Sequence, residues 1–390
     1  MTDAQPSTSP PPRSGRAIRL VLQSVGFLIG LALLGWCVRV ALSDENREQL
    51  ARLREASVGQ VSLLLALSAG TLLINGLLFW ITLRPVHKIR AIDHVAINAV
   101  CTFLAFLPFK IGTLSRVAIN NRRDGVPLLT IGAWYGVMFA VMLAAYLPAM
   151  GASMWRRGLD TIWWIVCLGG AALLCALMVG IARLFAGERG LARLHKIIDS
   201  IRLPIVSRLA RTEHFDRVHT AAAMASSPVN MAGGITLRLL DLGVMSWRFV
   251  VAGSIVGVAF GWEEAVLVAS AYYIIGMLSP FGMLGAREAG TVFMAGALGI
   301  AASTGQSTEE VARSLTVLTL FITGTESIVL LAGAAAGTVW LRPDRLLRKA
   351  PEERPVPEET PSTPNHPNHP DSEPRTSFRG NTPPTESTPD

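Results

Sequence analysis

The chain has 390 residues, of which 51% are hydrophobic and only 16% carry a charge. Soluble proteins usually contain about 25% charged residues. Four of the 23 prolines lie in residues 1–12 and eleven lie in residues 351–390, so the middle of the chain is more apolar than the average. This composition excludes an ordinary soluble enzyme, a disulfide scaffold and a disordered protein. It indicates a polytopic membrane protein.

The two ends of the chain differ from its middle. Residues 1–17 are rich in Pro and Ser, and residues 343–390 are rich in Pro, Thr and Glu. Segments of this composition cannot bury a core, so both are predicted to be disordered. Residues 18–342 then form one membrane domain. The net charge is +7, and residues 342–390 hold 7 basic and 9 acidic residues, so the rest of the chain carries +9. This excess sits in short loops between apolar segments, so it indicates membrane topology rather than a nucleic-acid partner.

Six stretches are long enough to cross a membrane as helices, because about 20 apolar residues span the hydrocarbon core. These are residues 20–38, 58–83, 128–150, 161–182, 231–260 and 311–341. Two further regions, 91–127 and 265–302, are each interrupted by a Pro-Phe pair. Their apolar arms have only 13 or 14 residues and are too short to cross alone.

The charges beside these segments predict their orientation. Basic residues flank the region 91–127 on both sides, as is typical of the cytoplasmic face, whereas acidic residues flank 265–302 on both sides. A single crossing cannot leave both flanks on one face, so each region is predicted to dip into the membrane and return. The predicted fold is an all-α polytopic membrane protein with about six full transmembrane helices and two oppositely oriented re-entrant helical hairpins.

This arrangement resembles an inverted repeat, which is typical of transporters. Broken helices are tolerated at membrane depth only where protein or a water-filled cavity surrounds them. The same charges place both termini in the cytoplasm of a multi-pass protein of the plasma or inner membrane.

The two breaks have similar sequences, in which a Pro is followed by Gly and then by Arg. Pro removes a backbone donor, and Gly allows the backbone to approach a partner or ligand closely. The residues of the first break are Pro108, Gly112 and Arg116, and those of the second are Pro280, Gly282, Gly285, Arg287 and Glu288.

At these residues the sequence resembles the transmembrane, flippase-domain region of lysylphosphatidylglycerol synthases and their stand-alone relatives. The first hallmark is the Pro-x-x-x-Gly-x-x-x-Arg pattern from Pro108 to Arg116, with Gly-Val-Pro at residues 125–127. The second is the Gly-rich segment from Pro280 to Glu288. The resemblance covers about residues 20–342. Since no soluble transferase domain follows residue 342, the resemblance implies lipid handling without lysyl transfer.

Three charged residues interrupt the predicted span 231–260. At 100° per residue, Arg238, Asp241 and Arg248 fall within one 80° stripe of a helix. Charge inside a membrane is costly and normally faces a partner or a wet cavity. The stripe is therefore either a path for a phosphate-bearing headgroup or a structural ion pair.

Two other charged sites also leave a functional and a structural interpretation open. Arg287 and Glu288 at the second break either serve function or tether the hairpin. Glu326, in the middle of the last span, is either a proton-coupling carboxylate or part of a polar helix contact with Thr325 and Ser327.

The leading functional hypothesis is a non-enzymatic transporter or flippase for a membrane lipid with an anionic headgroup. Its substrate-binding candidates are Arg116, Arg238, Asp241, Arg248, Arg287 and Glu288. The alternatives are an integral-membrane transferase and an accessory scaffold in lipid or polyprenyl-linked glycan synthesis. No enzyme signature, metal-ligand spacing or cofactor motif is present in the sequence, so neither a metal nor a cofactor is expected. Whether the chain forms a homo-oligomer is left open.

Overall fold

The computed structural model describes residues 31–107, 110–156, 158–187, 222–279, 285–297 and 307–342, together with a few single positions such as Met283. All of these residues belong to one compact unit that ends at Arg348. They form an all-α, multi-pass membrane fold. The predicted disordered ends lie outside the described residues.

Among the described residues, five helices are long and apolar enough to cross a membrane. They are α3 (Val58–Leu83), α6 (Leu128–Trp155), α7 (Thr161–Phe185), α8 (Pro228–Val256) and α11 (Thr308–Leu341). Each has between 25 and 34 residues. At 1.5 Å per residue even the shortest is about 38 Å long, which exceeds the hydrocarbon thickness of about 30 Å. In the described part of the chain, five of the six predicted crossings therefore form helices long enough to span, with boundaries close to those expected.

The first predicted crossing, 20–38, lies mostly outside the described residues. Its visible part is α1 (Leu31–Ala41), which continues beyond Arg39. The loop that follows contains a 3₁₀ turn (Asp44–Asn46) and the short helix α2 (Arg47–Arg54).

Each predicted hairpin region forms a pair of short helices. The first hairpin consists of α4 (Ala91–Leu104) and α5 (Ile111–Arg122), and the second consists of α9 (Trp262–Leu278) and α10 (Ala286–Ala297). These helices have 12 to 17 residues, so they measure only about 18 to 26 Å and none spans the core alone.

Capping residues fix where the long helices begin. Ser57 and Gln60 form a reciprocal capping box at the start of α3, and Ser307 and Glu310 form another at the start of α11. Such boxes satisfy backbone donors that have no partner within the helix. The side chain of Asp160 accepts from the backbone N–H of Trp163 and caps α7.

Packing of the helices brings both hairpins to the same interior. The helix α3 lies along α8, and α11 lies along α4. The second hairpin packs against α8 and α11.

Inside the first hairpin, the two helices approach closely at Gly112. A Cβ added at Gly112 would lie 2.6 Å from the backbone nitrogen of Ala105, which is too close. The hairpin turn therefore requires glycine at position 112.

Candidate functional site

A cavity of about 200 Å³ lies between the two hairpins and the helices α3, α8 and α11. Most of its wall is apolar, with residues such as Leu72, Phe79 and Met245. The charged side chains on the wall are Lys110, Arg116, Arg248, Arg287 and Glu326. Three of the predicted substrate-binding arginines thus meet in one place, although they are far apart in the sequence.

Glu326 is the shared counter-ion of two of these arginines. Its carboxylate oxygens lie 3.3 Å from Arg248 on α8 and 3.3 Å from Arg287 on α10. Both arginine side chains are almost completely buried, whereas 13% of the Glu326 side chain is exposed. Buried charges require such partners because leaving water is costly. Glu326 therefore joins α8, α10 and α11 through one carboxylate on the cavity wall.

Aromatic rings and a hydroxyl complete this cluster. The guanidinium of Arg287 lies over the ring of Tyr272, 4.0 Å from its centre. The hydroxyl of Tyr272 is 2.8 Å from the hydroxyl of Thr323 and also donates to Glu326 at 3.4 Å. A ring face attracts a cation, so the ring helps to hold Arg287 in place.

Glu288 stabilises the second break through hydrogen bonds to the break itself and to α11. One of its oxygens accepts the backbone N–H of Gly285 at 2.7 Å, and the other accepts the hydroxyl of Thr323 at 2.6 Å. Gly285 has a φ of 78°, in the left-handed region that favours glycine. Arg287 lies 3.7 Å from Glu288. Glu288 does not line the cavity, and these contacts match the tether that the sequence left as one of two alternatives.

The predicted stripe of charges on α8 divides into two parts. Arg238 forms an ion pair with Asp241 at 2.9 Å, and Asn75 on α3 bonds to both, at 3.0 Å in each case. This pair is buried and does not line the cavity, whereas Asn75 and Tyr273, which both contact Arg238, do. Arg248 lines the cavity instead, and its acidic partner is Glu326. These contacts favour a structural ion pair for Arg238 and Asp241 and a place at the site for Arg248.

Arg116 differs from the other arginines because no described carboxylate neutralises it. Its Nη2 donates to the side-chain oxygen of Asn98 at 2.7 Å, and its guanidinium lies 3.6 Å from the ring centre of Phe79. Its Nη1 has no hydrogen-bond partner among the described residues. Only 5% of the residue is exposed. The cavity wall therefore holds a buried cation with an unused donor.

Lys110 is a cavity residue that the sequence did not identify. Its charge contributed only to the predicted topology, yet its ammonium lies at the cavity and donates to the carbonyl of Met277 at 3.3 Å. The backbone of Lys110 has a φ of 50° and ψ of 36°, a left-handed conformation that costs a non-glycine residue about 1–2 kcal/mol. Asn75, Asn98 and Tyr272 were also missed, although polar side chains inside apolar stretches were a usable signal.

The structure describes only two of the five predicted hairpin-break residues. Gly112 and Gly285 lie where the helices turn, whereas Pro108, Pro280 and Gly282 lie outside the described residues. Within the described ranges, no three His, Cys, Asp or Glu side chains are grouped closely enough to share a metal ion. The described cysteines, Cys37, Cys101, Cys167 and Cys175, are free thiols.

A model of the lysylphosphatidylglycerol synthase transmembrane region matches residues 23–324, which is most of the chain. The chain belongs to this family. Comparison with curated proteins and with solved structures gave no significant match. The family match contains Arg116, Arg248 and Arg287, but it ends two residues before Glu326. The counter-ion of the cavity therefore lies just beyond the matched region.

Proposed function

We propose that this member of the lysylphosphatidylglycerol synthase transmembrane-region family moves a lipid with an anionic headgroup across the membrane, without chemical conversion. The observation that carries the proposal is the cavity between the two hairpins. Its four cations, Lys110, Arg116, Arg248 and Arg287, exceed the two carboxylates that contact them. Excess positive charge at membrane depth is expensive and favours an anionic ligand.

The composition of the cavity wall supports a lipid ligand rather than a fully soluble anion. Apolar residues form most of the surface, and the cations are grouped among them. Acyl chains are compatible with such a wall, whereas a phosphate group requires cationic or hydrogen-bonding partners. An amphiphile with one anionic end satisfies both parts of the cavity.

Transport would follow the alternating-access scheme of proteins with broken helices. The headgroup binds between the hairpins, and rocking of one hairpin against the other exposes it to either face. The predicted topology, with the hairpins on opposite faces and both termini in the cytoplasm of a plasma or inner membrane, belongs to this proposal. A homo-oligomer is compatible with it.

Reconstitution into liposomes tests the proposal. Fluorescent phosphatidylglycerol placed in one leaflet should become accessible from the other leaflet faster in proteoliposomes than in empty liposomes. Replacing Arg116 with Gln should slow this movement by about tenfold, because a charge-assisted hydrogen bond contributes about 1.5–3 kcal/mol. Arg122→Gln on the same helix is the matched control, since Arg122 is exposed and does not line the cavity.

Mass spectrometry of the same lipids separates transport from chemistry. Movement of chemically unchanged lipid supports a flippase. Conversion of the lipid in the presence of donor substrates would instead indicate the integral-membrane transferase, and protein that is well inserted but moves no lipid would refute the proposal.

A further inference from the structure

Two cations of the first hairpin line the cavity and have no carboxylate partner among the described residues. Arg116 is held by Asn98 and Phe79 and keeps an unused donor at Nη1. Lys110 has only a neutral acceptor, the carbonyl oxygen of Met277. On the other side of the cavity, Arg248 and Arg287 already share Glu326. The uncompensated positive charge of the cavity is therefore located on the first hairpin.

Both cations belong to the N-terminal half of one helix. Lys110 immediately precedes α5, and Arg116 follows within its first two turns. The first amides of a helix have no acceptor within the helix, and no side chain caps this one. Gly112 and Thr113 from this first turn also line the cavity. Helix N-termini of this kind favour phosphate groups, because amide donors and the helix dipole act together.

We infer that the first turn of α5, with Lys110 and Arg116, is the binding site for the phosphate group of the ligand. This inference rests on the proposed function and locates its substrate. Arg116 supplies a fixed donor on the buried side. Lys110 supplies the second charge by exchanging the neutral carbonyl of Met277 for the phosphate, which adds an attraction between opposite charges that the carbonyl cannot provide.

The exchange has a consequence for the hairpins. The bond from Lys110 to Met277 connects the first hairpin to the end of α9 in the second. When the ammonium of Lys110 binds the phosphate instead of the Met277 carbonyl, this bond between the hairpins is lost. Ligand binding would therefore loosen the contact between the two hairpins, which is what an occupied transporter requires.

The test measures binding to the full chain in detergent, with phosphatidylglycerol, diacylglycerol of the same acyl chains and inorganic phosphate as separate probes. The variants are Lys110→Gln and Arg116→Gln. Lys88→Gln and Arg122→Gln are the matched controls, because both residues are exposed and away from the cavity. Lys110→Arg, which keeps the charge, checks that any loss at position 110 is due to charge rather than misfolding.

We expect Lys110→Gln and Arg116→Gln each to weaken phosphatidylglycerol binding by about tenfold or more. The controls and Lys110→Arg should stay within about twofold of the wild type, and diacylglycerol should bind all of the proteins alike. Equal phosphatidylglycerol affinity of all variants would overturn this site while leaving lipid transport intact. If inorganic phosphate alone bound, with the same dependence on Lys110 and Arg116, the phosphate site would stand and the lipid function would fail.

Discussion

The ammonium nitrogen of Lys110 lies 3.3 Å from the carbonyl oxygen of Met277, and this bond joins the two hairpins directly. Phe106 and Met283 pack in the same small apolar cluster. The guanidinium of Arg287 also lies 5.5 Å from the ring centre of Phe106. The ends of the two hairpins are therefore in contact. Phe109 and Phe281, at the breaks themselves, lie outside the described residues.

This contact predicts cross-linking between the hairpins. In a background without the native cysteines, the pair Phe106→Cys and Met283→Cys should form an intramolecular cross-link and stop lipid movement. The cross-link is detected as a mobility shift that a reducing agent reverses, and each single-cysteine variant serves as a control. A pair that failed to react under every lipid condition would contradict the contact.

The close approach inside the first hairpin predicts a loss of stability on adding one methyl group. A Cβ at Gly112 would meet the backbone of α4 at Cys101 and Ala105, which cannot move aside as a side chain can. Gly112→Ala should therefore destabilise the protein by about 1–3 kcal/mol, the usual cost of overpacking. Thermal unfolding in detergent, followed by tryptophan fluorescence, measures the effect.

Gly132→Ala on α6 is the matched control for this prediction. A Cβ at Gly132 would meet nothing within 4 Å. Alanine also favours the helix by up to about 1 kcal/mol relative to glycine. If Gly112→Ala and the control unfolded at the same temperature, the two helices of the hairpin could move apart without loss of stability, and the prediction would be wrong.

The shared carboxylate on α11 predicts a double-mutant result. Glu326→Gln leaves Arg248 and Arg287 without their common counter-ion, and breaking a buried pair in this way costs about 3–5 kcal/mol. Adding Arg248→Gln to Glu326→Gln removes one uncompensated cation and should recover part of the lost stability. The exposed Glu309→Gln on the same helix should have little effect. Additive losses in the double variant would argue against coupling between these charges.

Asp124 lies in the link between α5 and α6, outside the spanning segments. Its carboxyl should make the stability of the protein depend on pH. Burial raises the pKa of its carboxyl from 3.8 to about 6, an effect that Asp93 adds to and that Arg123 and His87 oppose. Because the folded state disfavours the charged form, this contribution to stability is highest below about pH 4 and falls as pH rises through about 6.

Asp124→Asn should remove this dependence. The variant should unfold at a higher temperature than the wild type at pH 7, and the difference should vanish near pH 4. Thermal unfolding across this pH range measures it. A difference that is constant with pH would mean that the carboxyl does not titrate in this range.

The charge-derived topology predicts which positions are reachable from outside. In a cysteine-free background, Glu263→Cys should react with a membrane-impermeant thiol reagent applied to intact cells, and Arg122→Cys should not. Permeabilised cells provide the control for reactivity of both positions. External labelling of Arg122→Cys would refute the cytoplasmic return of the first hairpin.

The sequence predicted most of the helices because their signal is local. Length and apolar content placed α3, α6, α7, α8 and α11 within a few residues of their observed bounds. The breaks were also visible, since Pro and Gly interrupt runs that are too short to cross.

The partners of the charged residues were harder to predict because they come from distant helices. The 100° periodicity placed Arg238 and Asp241 together, three residues apart. No local pattern could show that the acid opposite Arg248 is Glu326, which lies 78 residues further along the chain. Lys110 was missed as a cavity residue for a related reason: a charge beside an apolar run indicates topology, and no local pattern shows that a second hairpin completes a cavity there.

The helix α11 is attached to both hairpins. Near its middle, Glu326 holds Arg287 of the second hairpin, and near its end Trp340 donates to Asp93 of the first at 2.8 Å. At its opposite end Arg313 pairs with Glu45 at a solvent-accessible position. Because one helix contacts both hairpins, a displacement of α11 along its axis would act on both of them at once.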